Sequence, residues 1–223
     1  MTKYFVAIAG NIGVGKSTFA ELAARRLGWD PFFEAFEENP YLADFYHDMP
    51  RWSFHSQAFF LSRRLRQHHA MLEHEKSVIQ DRSVYEDAEI FACNLFNQGH
   101  MTDRDWQTYC DLYRTLRMLL TPPNLVVYLR ASVPTLLRRI AQRGRDYERS
   151  ITAEYLDRLN ALYDRWAGNF TLCPVLTVET DSIDYVLYDE HLDQIVRRIE
   201  DRLYGKETIA LKTPNHKLQT PNL

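Results

Sequence analysis

Gly10, Gly15, Lys16 and Ser17 stand at the spacing G-x-x-x-x-G-K-[ST], with Asn11, Ile12, Gly13 and Val14 inside the loop and Thr18 behind it. An apolar run, Tyr4 to Ala9, leads in and a helical pattern, Phe19 to Leu27, leads out; this spacing needs such a strand–loop–helix setting to work. Glycines let successive backbone N–H groups turn inward onto phosphate oxygens, and the positive end of the following helix adds to that field. Lys16 supplies a mobile positive charge. The Ser17 hydroxyl suits Mg2+, which takes oxygen ligands and bridges phosphates. The loop therefore predicts binding of a nucleoside triphosphate with Mg2+, ATP being the expected donor.

Transfer of a phosphoryl group from such a nucleotide needs an acceptor hydroxyl, a group to take its proton, and positive charge on the migrating phosphate. Candidates fall just after other apolar runs. Glu34 follows Phe32 and Phe33, where a carboxylate can accept the proton of an attacking hydroxyl; with Glu37 and Glu38 beside it, the stretch also reads as a solvated acidic turn. Asp81 and Arg82 follow Val78, Ile79 and Gln80. Asp81 there can share Mg2+ with Ser17, and Arg82 can hold the base or the reacting oxygen, whereas the plain reading of the pair is a helix N-cap with a surface ion pair. Arg138, Arg139, Arg143, Arg145 and Arg149 bring five guanidinium groups into twelve residues, with Gly144 interrupting the helical pattern among them. A mobile lid over about residues 138–150, closing arginines onto triphosphate, is expected in preference to a solvated basic face.

The elements that must position these groups follow from the apolar patterning. Short runs with β-branched or aromatic content recur at Tyr4–Ala9, Phe32–Phe36, Val78–Gln80, Leu125–Leu129 and Val175–Val178, separated by long helical patterns. That alternation predicts an α/β fold, a five-stranded parallel sheet flanked by helices. Ligands of an open parallel sheet gather at the carboxyl ends of its strands, where the residues above lie, together with Arg130 and Glu179 to Asp181. A long helix is expected around Trp52 to Leu65, with two more over Val84–Gln98 and Asp103–Leu120, the latter closed by Pro122 and Pro123.

Composition narrows the partners. The 223 residues, 45% hydrophobic, suffice for one core, so one domain over 1–205 is expected, followed by an extension, 206–223, with two prolines and no periodicity. A formal net charge of −3 argues against a nucleic-acid partner, which would call for excess Lys and Arg. Cys93, Cys110 and Cys173 are odd in number and lack C-x-x-C spacing, so free thiols in a reducing compartment are expected. No run approaches the ~20 apolar residues of a membrane span, and the first apolar run leads straight into the phosphate loop with no cleavage site. A cytoplasmic protein with no membrane partner is the expectation.

Taken in order, the phosphate loop, Glu34, the helix from Arg51 to Arg66, the segment Asp81-Arg82-Ser83-Val84-Tyr85-Glu86-Asp87 and the stretch Arg139 to Glu148 resemble the deoxyribonucleoside kinases, the family of deoxycytidine, deoxyguanosine and deoxyadenosine kinases. The resemblance runs from about Lys3 to Leu203. It implies that Glu34 takes the proton from the nucleoside 5′-hydroxyl and that Arg82 pairs with it. It further implies that Gln57 reads the base, that Tyr46 and Glu148 hold the sugar 3′-hydroxyl, and that Arg139, Arg143 and Arg145 are lid arginines. Arg64 and Asp87 match positions that carry Arg and Asp in purine and deoxycytidine kinases. Such a pair presents fixed charge to the base edge, so deoxyadenosine is expected first, with deoxyguanosine and deoxycytidine behind it. Two departures stand out: Asp81 replaces the Glu of many animal members, and Tyr147 replaces a frequent acid. The resemblance also suggests a homodimer through the Val84–Leu120 helices, where Phe91, Leu95, Tyr109, Leu112, Tyr113, Leu116 and Leu119 outnumber what one core face needs. A thymidylate-kinase-like nucleoside monophosphate kinase and a non-catalytic nucleotide-binding subunit are the alternatives. The first calls for an acceptor site that welcomes a phosphate, which Glu34, Tyr46 and Glu148 do not offer; the second calls for loss of Lys16 or Glu34, and both are present.

Overall fold

The computed structural model describes residues 2–33, 38–145, 148 and 151–205 of the chain. Five strands form one sheet: β1 Phe5–Gly10, β2 Asp30–Phe32, β3 Val78–Asp81, β4 Leu125–Arg130 and β5 Val175–Glu179. Their order is β2-β3-β1-β4-β5 and every neighbouring pair is parallel, as the alternating pattern requires. The helices are α1 Lys16–Leu27, α2 Leu42–His47, α3 Met49–Glu73, α4 Val84–Glu86, a π-helical segment Asp87–Ala92 running into α5 Cys93–Asn97, then α6 Asp103–Arg117, α7 Val133–Arg143, α8 Ala153–Asn169 and α9 Asp189–Tyr204.

Central β1 is buried at every residue, which is why it reads as a continuous apolar run and not as an alternation. Successive side chains still point to opposite faces. Phe5, Ala7 and Ala9, with Val126 and Tyr128 of β4, join Leu61, Met71, Tyr109 and Tyr163 in the core under α3, α6 and α8. Val6 and Ile8, with Val127 and Leu129, join Phe19, Leu136, Ile195 and Ile199 under α1, α7 and α9. β3 flanks β1 on one side and β4 on the other, so the chain reverses its direction of travel across the sheet there, and the crevice above the carboxyl end of β1 is where such sheets bind ligands.

Four elements differ from the sequence pattern by more than a residue. The second strand is Asp30–Phe32, starting two residues before the expected Phe32–Phe36 run, of which Glu34 to Phe36 lie outside the described residues, and it pairs Asp30 with Val78 through Phe32 with Gln80. It is an edge strand, needing hydrogen bonds on one side only, which accommodates Pro31. The expected helix Val84–Gln98 is α4, the π segment and α5 in succession, a local widening that hydrophobic periodicity does not report. α3 extends the expected Trp52–Leu65 helix at both ends. The Asp48 carboxylate caps it, accepting from the Arg51 N–H at 3.3 Å, and Pro50 occupies the first turn. α6 stops at Arg117, three residues before the expected end. The proposed 206–223 extension lies outside the described residues.

Candidate active site

The phosphate loop joins β1 to α1 at the sheet's central crevice. Gly10 has φ 149 and Gly15, the N-cap of α1, has φ 104. A Cβ on Gly10 would meet the Leu129 carbonyl oxygen at 2.5 Å, and one on Gly15 the Tyr185 hydroxyl at 2.5 Å, so both glycines are required by close approach as well as by backbone conformation. The Asn11 side chain fastens the loop to α8, donating to the Leu156 carbonyl (2.9 Å) and Asn160 Oδ1 (2.8 Å). Lys16 is buried, and its Nζ donates to the Gly10 and Asn11 carbonyls at 2.9 and 3.1 Å, ready beside the loop that phosphates would fill.

Ser17 and Asp81 meet across the crevice, the Ser17 hydroxyl donating to Asp81 Oδ2. The other Asp81 oxygen is buried with no hydrogen-bond donor among the described residues. A hydroxyl and an incompletely satisfied carboxylate oxygen side by side, next to Lys16, make a donor set that fits Mg2+. Arg82 follows with φ 64, the one positive φ among described non-glycine residues, and its guanidinium carbon sits 4.2 Å from the centre of the Phe91 ring. The capping box that begins α4 holds this bend: Ser83 N–H donates to Glu86 Oε2 at 2.8 Å. Burial raises the Glu86 carboxyl above the ordinary range, partly offset by the fields of Arg82 and Lys16 and by hydrogen bonds from Ser83 and Tyr163.

Two cavities open from this centre. One, of about 510 Å3, is lined by Tyr46, Gln57, Asp81, Arg82, Asp87 and Glu148, with Phe33, Phe45, Phe60, Phe91, Leu95 and Tyr155 supplying apolar walls. The other, of about 520 Å3, runs over Gly13 to Thr18 and is closed by Arg139 and by Ile183 to Leu187 from the loop after β5. They share Gly13, Lys16, Ser17, Arg143 and Arg145. Both volumes suit small polar molecules held by a few placed polar groups. On the second cavity's rim Tyr185 donates to the Gly15 carbonyl at 3.2 Å, and burial pushes its phenol up to about 12.

Sequence-derived candidates are distributed unevenly. Tyr46, Gln57, Arg82, Asp87 and Glu148 share the first cavity, while Arg64 is set behind it. Its guanidinium donates to Asp87 Oδ2 at 3.0 Å, to Gln67 Oε1 at 3.1 Å and to the Asp81 carbonyl at 3.2 Å, so it shapes the cavity through Asp87. Glu34 lies outside the described residues, as do Glu37, Tyr147 and Arg149. The arginine cluster divides. Arg138 and Arg139 belong to α7, and Arg139 is tied to the Val14 carbonyl (2.9 Å) and the Thr180 carbonyl (2.8 Å), a fixture of the loop more than part of a swinging segment. Arg138 is exposed and lines neither cavity. Arg143 closes α7 and pairs with Glu148 through two hydrogen bonds; Arg145 Nη1 stands 3.8 Å from the same carboxylate.

Sequence reasoning missed Gln67 and Glu86. Gln67 accepts from Arg64 and from Gln80 Nε2 (2.9 Å) and donates to the Phe33 carbonyl (2.6 Å), linking the Arg64–Asp87 side of the cavity to the peptide just before Glu34. Neither residue type signals such a role, because the partners are distant in sequence.

A parallel five-stranded sheet with a phosphate loop after β1, a serine–aspartate pair beside it and two cavities meeting there defines a P-loop phosphotransferase fold. A model of the family described as deoxynucleoside kinase matches residues 6–204. The chain is 35% identical over 206 residues to the deoxyadenosine/deoxycytidine kinase of Bacillus subtilis, covering 91% of this chain and 94% of that one. It is 33% identical over 204 residues to the deoxyguanosine kinase of the same organism, covering 90% and 98%. A deoxyadenosine kinase from M. mycoides, solved with dCMP and dCDP, superposes with a TM-score of 0.78 at 31% identity, over 88% of this chain and 99% of that one. The chain belongs to the deoxynucleoside kinase family, kinases that phosphorylate deoxynucleosides. No helix among the described residues is long and apolar enough to cross a membrane.

Proposed function

We propose that this kinase transfers the terminal phosphoryl group of ATP to the 5′-hydroxyl of a deoxynucleoside, with deoxyadenosine favoured and deoxyguanosine or deoxycytidine behind it. The carrying observation is the pair of cavities that share Lys16, Ser17, Arg143 and Arg145, which gives donor and acceptor separate seats with cationic groups at the junction. The triphosphate lies on Gly10 to Thr18, with Ile183, Val186 and Leu187 offering apolar walls for the donor base. The nucleoside lies in the other cavity, its sugar against Tyr46 and Glu148 and its base against Gln57 and Asp87. Glu34 takes the 5′-hydroxyl proton, and Arg82 holds that carboxylate or the reacting oxygen. Ser17 and Asp81 would hold Mg2+, which when bound neutralises charge on the phosphates. Arg143 and Arg145, from a lid reaching beyond Gly144, bring further positive charge to the transferring group.

The base preference follows from hydrogen-bond chemistry. Asp87, ionised, only accepts, while the Gln57 amide both donates and accepts. Adenine and cytosine each place an exocyclic amine beside a ring-nitrogen acceptor, a pattern this pair can match. The B. subtilis relative named for deoxyadenosine and deoxycytidine supports a site that takes these two bases. A cytoplasmic homodimer of one-domain subunits, domain 1–205, completes the proposal. In it the exposed Leu112, Met118 and Leu119 of the α6 region form part of the contact.

Rates of 5′-monophosphate formation with ATP and Mg2+ test this reading against deoxyadenosine, deoxyguanosine, deoxycytidine, thymidine and a thymidine monophosphate control. Deoxyadenosine should react fastest, and Lys16→Ala should abolish product with every nucleoside while leaving the circular dichroism spectrum unchanged. Turnover of the monophosphate alone would overturn it.

A further inference from the structure

Glu86 is wholly buried, takes no part in the steps above, and is bonded to both halves of the site. Its Oε1 accepts from the Gly10 N–H at 3.3 Å, where the phosphate loop begins, and from the Tyr163 hydroxyl of α8 at 2.9 Å. Its Oε2 accepts from the Ser83 N–H at 2.8 Å and the Ser83 Oγ at 3.3 Å, directly after Arg82. Donors therefore meet both oxygens. For packing alone an apolar residue would serve, because burying a carboxylate is costly even when its hydrogen bonds are made.

What the carboxylate holds in place is the bend at Arg82. A left-handed backbone is unfavourable for arginine and persists only where its surroundings fix it. On one side the Arg82 N–H donates to the Ile8 carbonyl of β1 at 3.1 Å; on the other the next N–H, of Ser83, is held by Glu86. Through Oε1 the same group reaches the first glycine of the phosphate loop. We propose that Glu86 is a positioning residue for phosphoryl transfer, its single carboxylate setting the spacing between the phosphate loop and Arg82. This rests on Arg82 acting at the acceptor side, as proposed above. Its effect belongs to turnover as well as to folding, because small displacements of reacting groups weigh heavily on rate.

The test is steady-state kinetics with ATP, Mg2+ and deoxyadenosine on Glu86→Gln, Arg82→Ala and the double variant, at a temperature where each is folded by circular dichroism. Glu86→Gln keeps the shape but points amide hydrogens at donors, and kcat should fall ~10–100-fold with both KM values within about twofold. Because Glu86 works through Arg82, the double variant should be no more than about twofold slower than Arg82→Ala alone. Should Glu86→Gln not fold, Tyr163→Phe removes one donor from Oε1 and should lower kcat about twofold or more in the same direction. Unchanged kcat with a lowered Tm, or additive losses in the double variant, would overturn the inference. Unchanged kcat in Arg82→Ala would instead overturn the assignment of Arg82, and this inference with it.

Discussion

A carboxylate that takes a proton in the transition state lowers the barrier while adding little to ground-state affinity. Glu34→Gln is accordingly expected to reduce kcat by ~10²–10⁴ with nucleoside KM nearly unchanged, as measured by initial rates across nucleoside concentrations. A loss confined to KM would leave Glu34 as a binding group. Selectivity is argued at the same scale. Arg64 supports Asp87 from behind at 3.0 Å, so Arg64→Met with Asp87→Ala removes a buried charge pair and widens the cavity. Purine discrimination should fall by ~1–3 kcal/mol per lost polar contact and thymidine turnover should rise. Measuring kcat/KM for the four deoxynucleosides decides it, and an unchanged ranking would reduce the pair to a bridge between α3 and the π segment. Residues whose chemistry is local were legible in the sequence: the phosphate loop needs its glycines and lysine at fixed spacing, and Asp81 ends an apolar run. Gln67 was not, because its meaning lies in the Phe33 carbonyl and the Arg64 guanidinium, which the fold alone brings within reach.

At the scale of elements, α7 ends where its sequence says it must. Gly144, with φ 68, is its left-handed cap, and Arg143 occupies the last turn. Arg139 is anchored to the Val14 and Thr180 carbonyls, so in the proposed lid the charge brought to the phosphates would come from Arg143 and Arg145. Alanine at either should lower kcat more than it raises nucleoside KM, since the interaction belongs to the transferring phosphoryl group. Nucleoside affinity measured by titration should barely move; a fall in affinity with turnover intact would show a static binding surface. The strands were readable because buried parallel strands are short apolar runs, but the second starts two residues before the run expected for it, its three-residue length and edge position leaving too little pattern. The π segment was unreadable for another reason. Helical spacing tolerates one extra residue per turn, and here that turn carries Asp87 and Phe91 to the cavity.

For the whole molecule, the surplus of apolar residues over Val84–Leu120 resolves into three groups. Phe91 and Leu95 line the cavity proposed for the nucleoside, and Tyr109 and Tyr113 are buried in the core with Leu116 packed against them. That leaves Leu112, 44% exposed, and Leu119, 76%, beside Met118 at 79%, a smaller patch than the sequence suggested. If these residues meet a second copy, Met118→Glu with Leu119→Glu should give the mass of one chain in sedimentation equilibrium at concentrations where the parent chain has the mass of two. A single-chain mass for the parent would remove the dimer.

Position 82 sets two selections against each other. In a library carrying all twenty residues there, screening survivors of heat should enrich glycine and asparagine, which adopt φ 64 with least strain and relieve about 1 kcal/mol relative to arginine. Growth that depends on phosphorylated deoxyadenosine should return arginine from the same pool. Convergence of both screens on one residue would mean that the bend and the guanidinium are not in conflict. Divergence would identify residue 82 as a place where heat tolerance has been surrendered for turnover, and where stabilised variants of this kinase should not be sought.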